Sequence, residues 1–269
     1  MNIEKLRNAQ LDDGSFGPFH SMSTHGTMTT EKALRRMYHL DLPIEHDMLE
    51  KSIKYVKRLL YKKQTMPDRV EKVIPWHVFS ELMFSAWLTL FNVADNKVFE
   101  CRDKWAKIIS ASHKDGKFSL DLYNAKFQET FGKLEPRQRV INPACFYCVV
   151  LLKDGLDSHV KKIYFDYVMS KGIYYIYDNP LTILPKNFDS KETIRFLEAV
   201  KLVSAYCVDK EDLKFVKQWI LDHEESANRW TMVNLKPDSI VFPKSISWRK
   251  SIDKENDINK YLTNVIQYL

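Results

Sequence analysis

The sequence predicts an all-α protein of about five helical hairpins that alternate outer and inner helices, and three observations predict it. Glycine is scarce, at 7 residues, while Phe, Tyr and Trp together reach 13%, a pairing that suits long helices around an aromatic interior better than a turn-rich β fold. Five amphipathic stretches recur at a nearly constant period. Interleaved with them are five stretches that are apolar around most of their circumference, as helices buried on most faces are.

The amphipathic set covers residues 2–10, 47–63, 99–113, 159–170 and 211–223, with apolar positions three and four apart. Aligned on Leu6, Leu59, Ile109, Val168 and Ile220, they follow one another in steps of 53, 50, 59 and 52 residues. The apolar set covers 30–40, 78–91, 144–156, 192–206 and 257–269, and its second member carries Phe79, Leu82, Met83, Phe84, Trp87, Leu88, Leu90 and Phe91. Thr29 and Thr30 before Glu31, and Asp189 or Ser190 before Glu192, are helix starts that offer a side-chain oxygen to free amides and an acid to the positive end of the dipole. Pro67, Pro75, Pro136, Pro143, Pro180, Pro185, Pro237 and Pro243 all fall between the expected helices, where a missing amide costs least. Two stretches stand outside the plain hairpins. Residues 119–131 read as an added helix, and the Tyr- and Pro-rich run 172–188 is too long for an ordinary turn and is a natural place for binding groups.

Composition sets the outer limits. A repeat-built helical domain absorbs all 269 residues in one unit, 1–269, and 45% hydrophobic with 28% charged residues is a globular balance. The net charge of +6 is spread along the chain with no basic run, so a nucleic-acid partner is not expected. Glu4, Lys5 and Arg7 leave no apolar core for a secretory signal, and no stretch approaches the ~20 apolar residues of a membrane span. The expectation is a cytoplasmic protein without a span, its four cysteines reduced.

The turn after the first helix reads Gln10-Leu11-Asp12-Asp13-Gly14-Ser15-Phe16-Gly17, with Leu6 four positions before Gln10. A second copy runs through Trp105, Ile109 and Asp115-Gly116-Lys117-Phe118, and a fainter third through Trp219-Ile220-Leu221 to Asn228-Arg229-Trp230. This pattern resembles the QW-type motif of the squalene/hopene cyclase and prenyltransferase β-subunit superfamily. The resemblance implies an α/α toroid, in which the Gln satisfies open backbone groups at a helix end and the aromatic packs over the next turn, tying outer helices together. Complete toroids in these families often have six hairpins, so five would leave an open side, either an entrance or a homodimer surface. More narrowly, Asp13-Gly14-Ser15-Phe16-Gly17 with Phe19-His20-Ser21, Gly172-Ile173-Tyr174-Tyr175-Ile176-Tyr177 and Phe242-Pro243-Lys244-Ser245-Ile246-Ser247-Trp248-Arg249-Lys250 resemble a group of uncharacterised bacterial cyclase-like proteins. That similarity brings no known activity.

The chemistry of those families is not legible in this chain. It has neither the DxDD segment of class II terpene cyclases nor the DDxxD helix that binds Mg²⁺ in class I synthases. Asp12-Asp13 reads as a pair of turn-forming carboxylates. Prenyltransferases and lanthionine cyclases bind zinc, but Cys145-Phe146-Tyr147-Cys148 is a single CxxC without a nearby His and reads as buried thiols; no metal and no cofactor are expected.

The candidate acid–base groups are His20 (with Ser21 and His25 near it), Glu31, His77 at the start of the second inner helix, and Arg195 with Glu198, three apart on the fourth. Each has a structural alternative: a loop hydrogen-bond network, a helix-start His, an ion pair holding helices in register. The candidate ligand-binding groups are Tyr147, Tyr174, Tyr175, Tyr177 and Trp248, which could line an aromatic cavity or be core, and Arg249. Lys244, Arg249 and Lys250 around Ser245 and Ser247 form a basic, hydroxyl-rich patch able to take a phosphate or carboxylate. Three functions are compatible with this sequence. One is a toroid binding an apolar or amphipathic, isoprenoid-like small molecule in a central aromatic cavity. The second is an enzyme with acid–base residues at the mouth, and the third a helical-repeat interaction scaffold with a filled centre.

Overall fold

The computed structural model describes residues 3–20, 28–238 and 240–269. Ser21 and His25 lie outside the described residues. Among these residues are eleven helices and one short hairpin: α1 Ile3–Ala9, α2 Thr30–His39, α3 Asp47–Leu60, α4 Trp76–Leu90, α5 Asn96–Ser110, β1 His113–Lys114, β2 Lys117–Phe118, α6 Leu120–Phe131, α7 Phe146–Leu152, α8 Ser158–Lys171, α9 Lys191–Val203, α10 Lys214–Leu221 and α11 Ser251–Tyr268. The mostly helical class expected from the sequence is the observed one, and no helix of the described residues is long and apolar enough to cross a membrane.

Of the apolar set, α4 and α7 are buried on most faces as their patterns foretold, whereas α11 buries only the face of Ile258, Tyr261, Leu262 and Val265. α4 buries nine of its residues, including Trp87 and Phe84, and all seven residues of α7 are buried. α3, by contrast, buries one face (Leu49, Ile53, Val56, Leu60) and exposes Lys54 and Glu50, which pair at 2.5 Å. α4 packs on α3, α5 and α7; α7 on α9; α9 on α8 and α11; α6 is the added helix and lies on α5. The buried apolar side chains form one connected cluster from Leu6 to Val265.

The caps work as their side chains require. Thr29 accepts from the Lys32 amide (3.2 Å), Asp157 from Val160 (3.0 Å) and Ser190 from Thr193 (3.1 Å). α11 begins six residues before the apolar run that announced it, because Ser251 to Asn256 form an exposed polar turn with no apolar period to read.

The turn after α1 is a tie between helices. Gln10 Nε2 donates to Met48 O (2.8 Å) and Ser52 Oγ (3.0 Å) on α3, and Ser52 Oγ donates to Gly14 O (2.9 Å). Gly14 has φ 86°, and a Cβ there would stand 2.3 Å from Lys51 O, so only glycine fits this crossing. Asp12-Asp13 is a turn, as read: Asp13 Oδ1 accepts from the Ser15 amide and Oδ2 from Gln64 Nε2. In the second copy Phe118 stacks on Tyr167 of α8 at 4.2 Å. In the third, Trp230 donates its indole N–H to Ile220 O (2.9 Å), and its backbone amide to Asn259 Oδ1 of α11 (2.8 Å).

The C-terminal segment closes on α2. Arg36 is fully buried and donates to Ile240 O (2.8 Å), Val241 O (3.1 Å) and Pro243 O, three carbonyls more than 200 residues away in sequence. Lys244 Nζ adds an ion pair to Asp41 at 3.1 Å, just beyond the end of α2.

Arg36→Met should lower the unfolding free energy by about 3 kcal/mol or more in urea titration, because three buried carbonyls lose a charged donor. Arg36→Lys should recover little, since an ammonium cannot reproduce the fork. Gly14→Ala should cost about 2 kcal/mol in the same assay.

Candidate functional site

Two of the sequence candidates, His20 and Glu31, meet Tyr147 in one buried cluster. Glu31 occupies the first turn of α2, where the helix dipole favours a carboxylate. The segment before it is pinned to that turn: Thr30 N donates to Pro18 O (2.9 Å), Glu31 N to Phe19 O (3.1 Å), and Phe16 N to Thr30 Oγ1 (3.0 Å). Asp68 takes the amides of Phe19 (2.5 Å) and His20 (2.6 Å) with its two oxygens. His20 is thereby held against α2 at its backbone before its side chain makes any contact.

His20 Nδ1 lies 2.6 Å from Glu31 Oε2, and Tyr147 at the start of α7 donates its hydroxyl to Glu31 Oε1 at 2.6 Å. The Tyr147 oxygen is also 3.1 Å from His20 Nδ1. The carboxylate thus fixes the tautomer with the proton on Nδ1, and Nε2 makes no hydrogen bond with any described residue. Phe79, Tyr147 and Tyr175 stand edge-on around the imidazole at 5.4 to 6.1 Å.

Burial alone would push His20 down, but the hydrogen bond and charge of Glu31 outweigh it and raise its pKa. Burial would likewise raise Glu31, and His20, Arg35 and Tyr147 more than offset it, leaving the carboxyl below its ordinary range. Burial beside Glu31 keeps the Tyr147 hydroxyl protonated.

Two cavities flank this cluster. A smaller one of about 350 Å³ is lined by His20, Glu71, Arg139, Asn142, Cys145, Tyr174 and Tyr175. A larger one of about 650 Å³ runs between α2 and α9 and is lined by Arg35, Tyr38, His39, Phe146, Tyr175, Tyr177, Glu192, Arg195 and Glu198, with Asp238 to Val241 on one wall. Tyr175 lines both. Its φ of 78° is a conformation a bulky side chain rarely adopts, and it persists because its neighbours are tied down: Tyr174 N to Ala144 O, Phe146 N to Tyr174 O, and Ile173 N to Tyr177 O.

At the far end of the larger cavity α2 meets α9. His39 Nε2 is 3.6 Å from Glu198 Oε2, and Lys201 Nζ is 3.6 Å from Glu198 Oε1, an oxygen that has no hydrogen bond. Burial pushes His39 down to about 4, against the pull of Glu198, so it is neutral at pH 7. Burial would raise Glu198, but the neighbouring cations, His39 when protonated and Lys201, hold it below the carboxylate range. A third cavity of about 430 Å³, lined by Lys201, Lys244, Tyr261 and Tyr268, shares Tyr38 and His39 with the larger one.

The remaining candidates divide. Arg195 and Glu198 make no ion pair with each other; both face the larger cavity. His77 is exposed on the first turn of α4 and lines a different groove, with Trp76 and Gln138. Tyr174 and Tyr177 each line one of the two cavities. Trp248 and Arg249 line neither: Trp248 Nε1 donates to Asp257 Oδ2 (2.7 Å), and Arg249 is exposed. The hydroxyl-rich patch around them has a carboxylate of its own, because the amides of Lys244 and Ser245 and the Ser245 hydroxyl also donate to Asp257. Cys145 and Cys148 are buried free thiols. Arg35 and Arg139 were not among the sequence candidates. Arg35 was within reach, since it lies four residues from Glu31 on a helix and so on the same face.

No family model, no curated protein and no solved structure matches the chain. Among the described residues no three of His, Cys, Asp and Glu converge as metal ligands would.

The two buried histidines should move stability in opposite directions. His39 has a folded pKa of about 4 against about 6.5 unfolded, so its contribution is complete above pH 6.5 and lost as pH falls from there toward 4, by roughly 3 kcal/mol. His20 is raised in the folded state, so its contribution is complete below pH 6.5 and lost as pH rises through its folded pKa. Urea titrations across pH should show His39→Gln flattening the acid side, and NMR should show His20 titrating above 6.5 and dropping back in Glu31→Gln.

Proposed function

We propose that the chain is an α/α toroid of five hairpins and an enzyme that moves a proton on a small amphipathic molecule, with His20 as the acid–base group. The observation that carries this reading is the Glu31–His20 contact of 2.6 Å with the other ring nitrogen unspent and a cavity on the His20 side. Glu31 fixes the tautomer and stabilises the imidazolium that forms when Nε2 takes a proton. Tyr147 holds the carboxylate in place by donating its hydroxyl to the other carboxylate oxygen, Oε1. Against the opposing effect of burial, the carboxylate of Glu31 holds the His20 pKa above its ordinary value and so favours the protonated ring once Nε2 has taken a proton.

The toroid reading rests on the burial of α4 and α7 beside one-faced helices such as α3, on packing that passes from α4 through α7 and α9 to α11, and on Arg36 joining the C-terminal segment to α2. The two cavities favour a small-molecule site over a scaffold with a filled centre. Charged side chains in the larger one favour an amphipathic occupant over a wholly apolar isoprenoid. A second reading, binding without turnover, draws on the size of that cavity, about 650 Å³, in the range of ligand pockets.

The test is native mass spectrometry of the purified protein for retained molecules, followed by incubation with a cell extract and with any molecule found. A compound consumed by the wild type should be consumed about a hundredfold or more slowly by His20→Gln, with Glu31→Gln between the two. Equal consumption by His20→Gln would remove the catalytic reading. A molecule retained unchanged by wild type and variant alike would establish the binding reading instead.

A further inference from the structure

We infer that the larger cavity takes a monoanionic carboxylate with an apolar body, its head group held by Arg35 and Arg195. The inference rests on the reading of that cavity as a small-molecule site and supplies the ligand class.

The argument starts from which charges in the cavity are already used. Three of its four carboxylates have partners within the chain. Asp238 Oδ1 accepts three backbone amides, from Ile240, Val241 and Phe242, at 2.9 to 3.0 Å. Glu192 Oε1 accepts the Tyr177 hydroxyl at 3.3 Å. Glu198 sits between His39 and Lys201. Asp178 is exposed at the rim.

The two guanidinium groups have no such partners. The nearest carboxylate to Arg35 is Glu31 Oε1, 3.9 Å away, beyond hydrogen-bond reach, and its oxygens are already taken by His20 and Tyr147. Arg35 is nonetheless mostly sequestered, its side chain 22% exposed, and it lies over the Phe146 ring at 4.9 Å. Arg195 makes no ion pair or hydrogen bond with any described residue. A guanidinium carries five donors in a planar fork suited to a carboxylate. Two forks thus line one cavity, Arg35 mostly enclosed and Arg195 exposed to solvent, and neither has a carboxylate of the described residues within hydrogen-bond reach.

Their placement follows from helix geometry. α2 and α9 meet at His39 and Glu198. Arg35 lies four residues before His39 and Arg195 three before Glu198, so each sits one turn away from the contact, toward the start of its own helix and on the same face. Apolar and aromatic side chains, among them Tyr38, Leu90, Phe146, Tyr175, Ile176 and Leu202, share the rest of the wall with polar ones such as Asn179. The four carboxylates around the same space disfavour a multiply charged head, which separates a carboxylate from a diphosphate.

The experiment is isothermal titration calorimetry of the full chain with octanoate, octanol and geranyl diphosphate, on the wild type, Arg35→Gln, Arg35→Lys, Arg195→Gln and Arg249→Gln, with circular dichroism to confirm folding. Octanoate should bind best, weaken roughly tenfold or more in Arg35→Gln and in Arg195→Gln, be only partly restored in Arg35→Lys, and be unchanged in Arg249→Gln, whose exposed side chain lines neither cavity. Tighter binding of geranyl diphosphate, or octanol binding as well as octanoate with no effect of Arg35→Gln, would overturn the anion assignment and leave the cavity reading standing. Binding of none of the three would overturn both. If Arg35→Gln fails to fold, Arg195→Gln on its exposed side chain decides the question.

Discussion

The buried guanidinium of Arg36 is the contact on which the rest of this structure depends. A charge fully removed from water is tolerated only when its donors are met, and here backbone carbonyls of 240, 241 and 243 meet them. The same segment supplies Asp238, Ile240 and Val241 to the wall of the larger cavity. α2 therefore does four things in ten residues. Glu31 holds the imidazole, Arg35 lines the cavity, Arg36 anchors the C-terminal segment and His39 meets α9. The roughly 100° between successive helical residues is what lets Arg35 and Arg36 point to different partners from one helix.

The acid–base cluster depends on this arrangement from the other end of α2. Its three members come from positions 20, 31 and 147, so no local rule brings them together. Local rules do prepare each one: the Thr29 cap starts the helix at the right residue, Asp68 fixes the His20 backbone, and Cys145-Phe146 begins α7 so that Tyr147 falls in its first turn. Tyr175 then encloses the imidazole from a strained backbone position, a cost on the order of 1–3 kcal/mol borne by the hydrogen bonds on either side of it. Strain held at the wall shared by two cavities is consistent with a position set by the site and not by the local chain.

Most of the fold was legible because its signals are local. Period, apolar circumference, caps and prolines locate all ten main helices and the added one, and misplace only ends such as that of α11, whose first two turns are polar on every side. Gln10 and Gly14 could be read as a structural tie because a helix end must satisfy its open groups. Half of the site was legible for the same reason: His20 and Glu31 flank one helix start, and Tyr174 to Tyr177 lie in a loop too long for a turn. What could not be read was pairing across the chain. Arg195 and Glu198 look like an ion pair at i, i+3, yet Glu198 turns to His39 and Lys201. Trp248 and Arg249 look like an anion site until Asp257, on the next helix, is seen to accept the donors around them.

That last contrast bears on how a ligand site is recognised in such a protein. Charge alone points to less telling places: the basic patch 244–250 and the acids Asp12-Asp13 are conspicuous in sequence, yet Asp13 is held in its own turn, Lys244 pairs with Asp41, and Asp257 takes the hydroxyl and indole donors of the patch. The groups left with chemistry to offer are inconspicuous ones. His20 has one ring nitrogen engaged and one unspent, and Arg35 lies across an aromatic ring with its carboxylate neighbour already occupied. Both sit on or against the helix that the C-terminal segment locks in place. Because burial makes an unmet donor expensive, groups that keep donors or acceptors unspent while lining a cavity are the ones on which the proposed function rests.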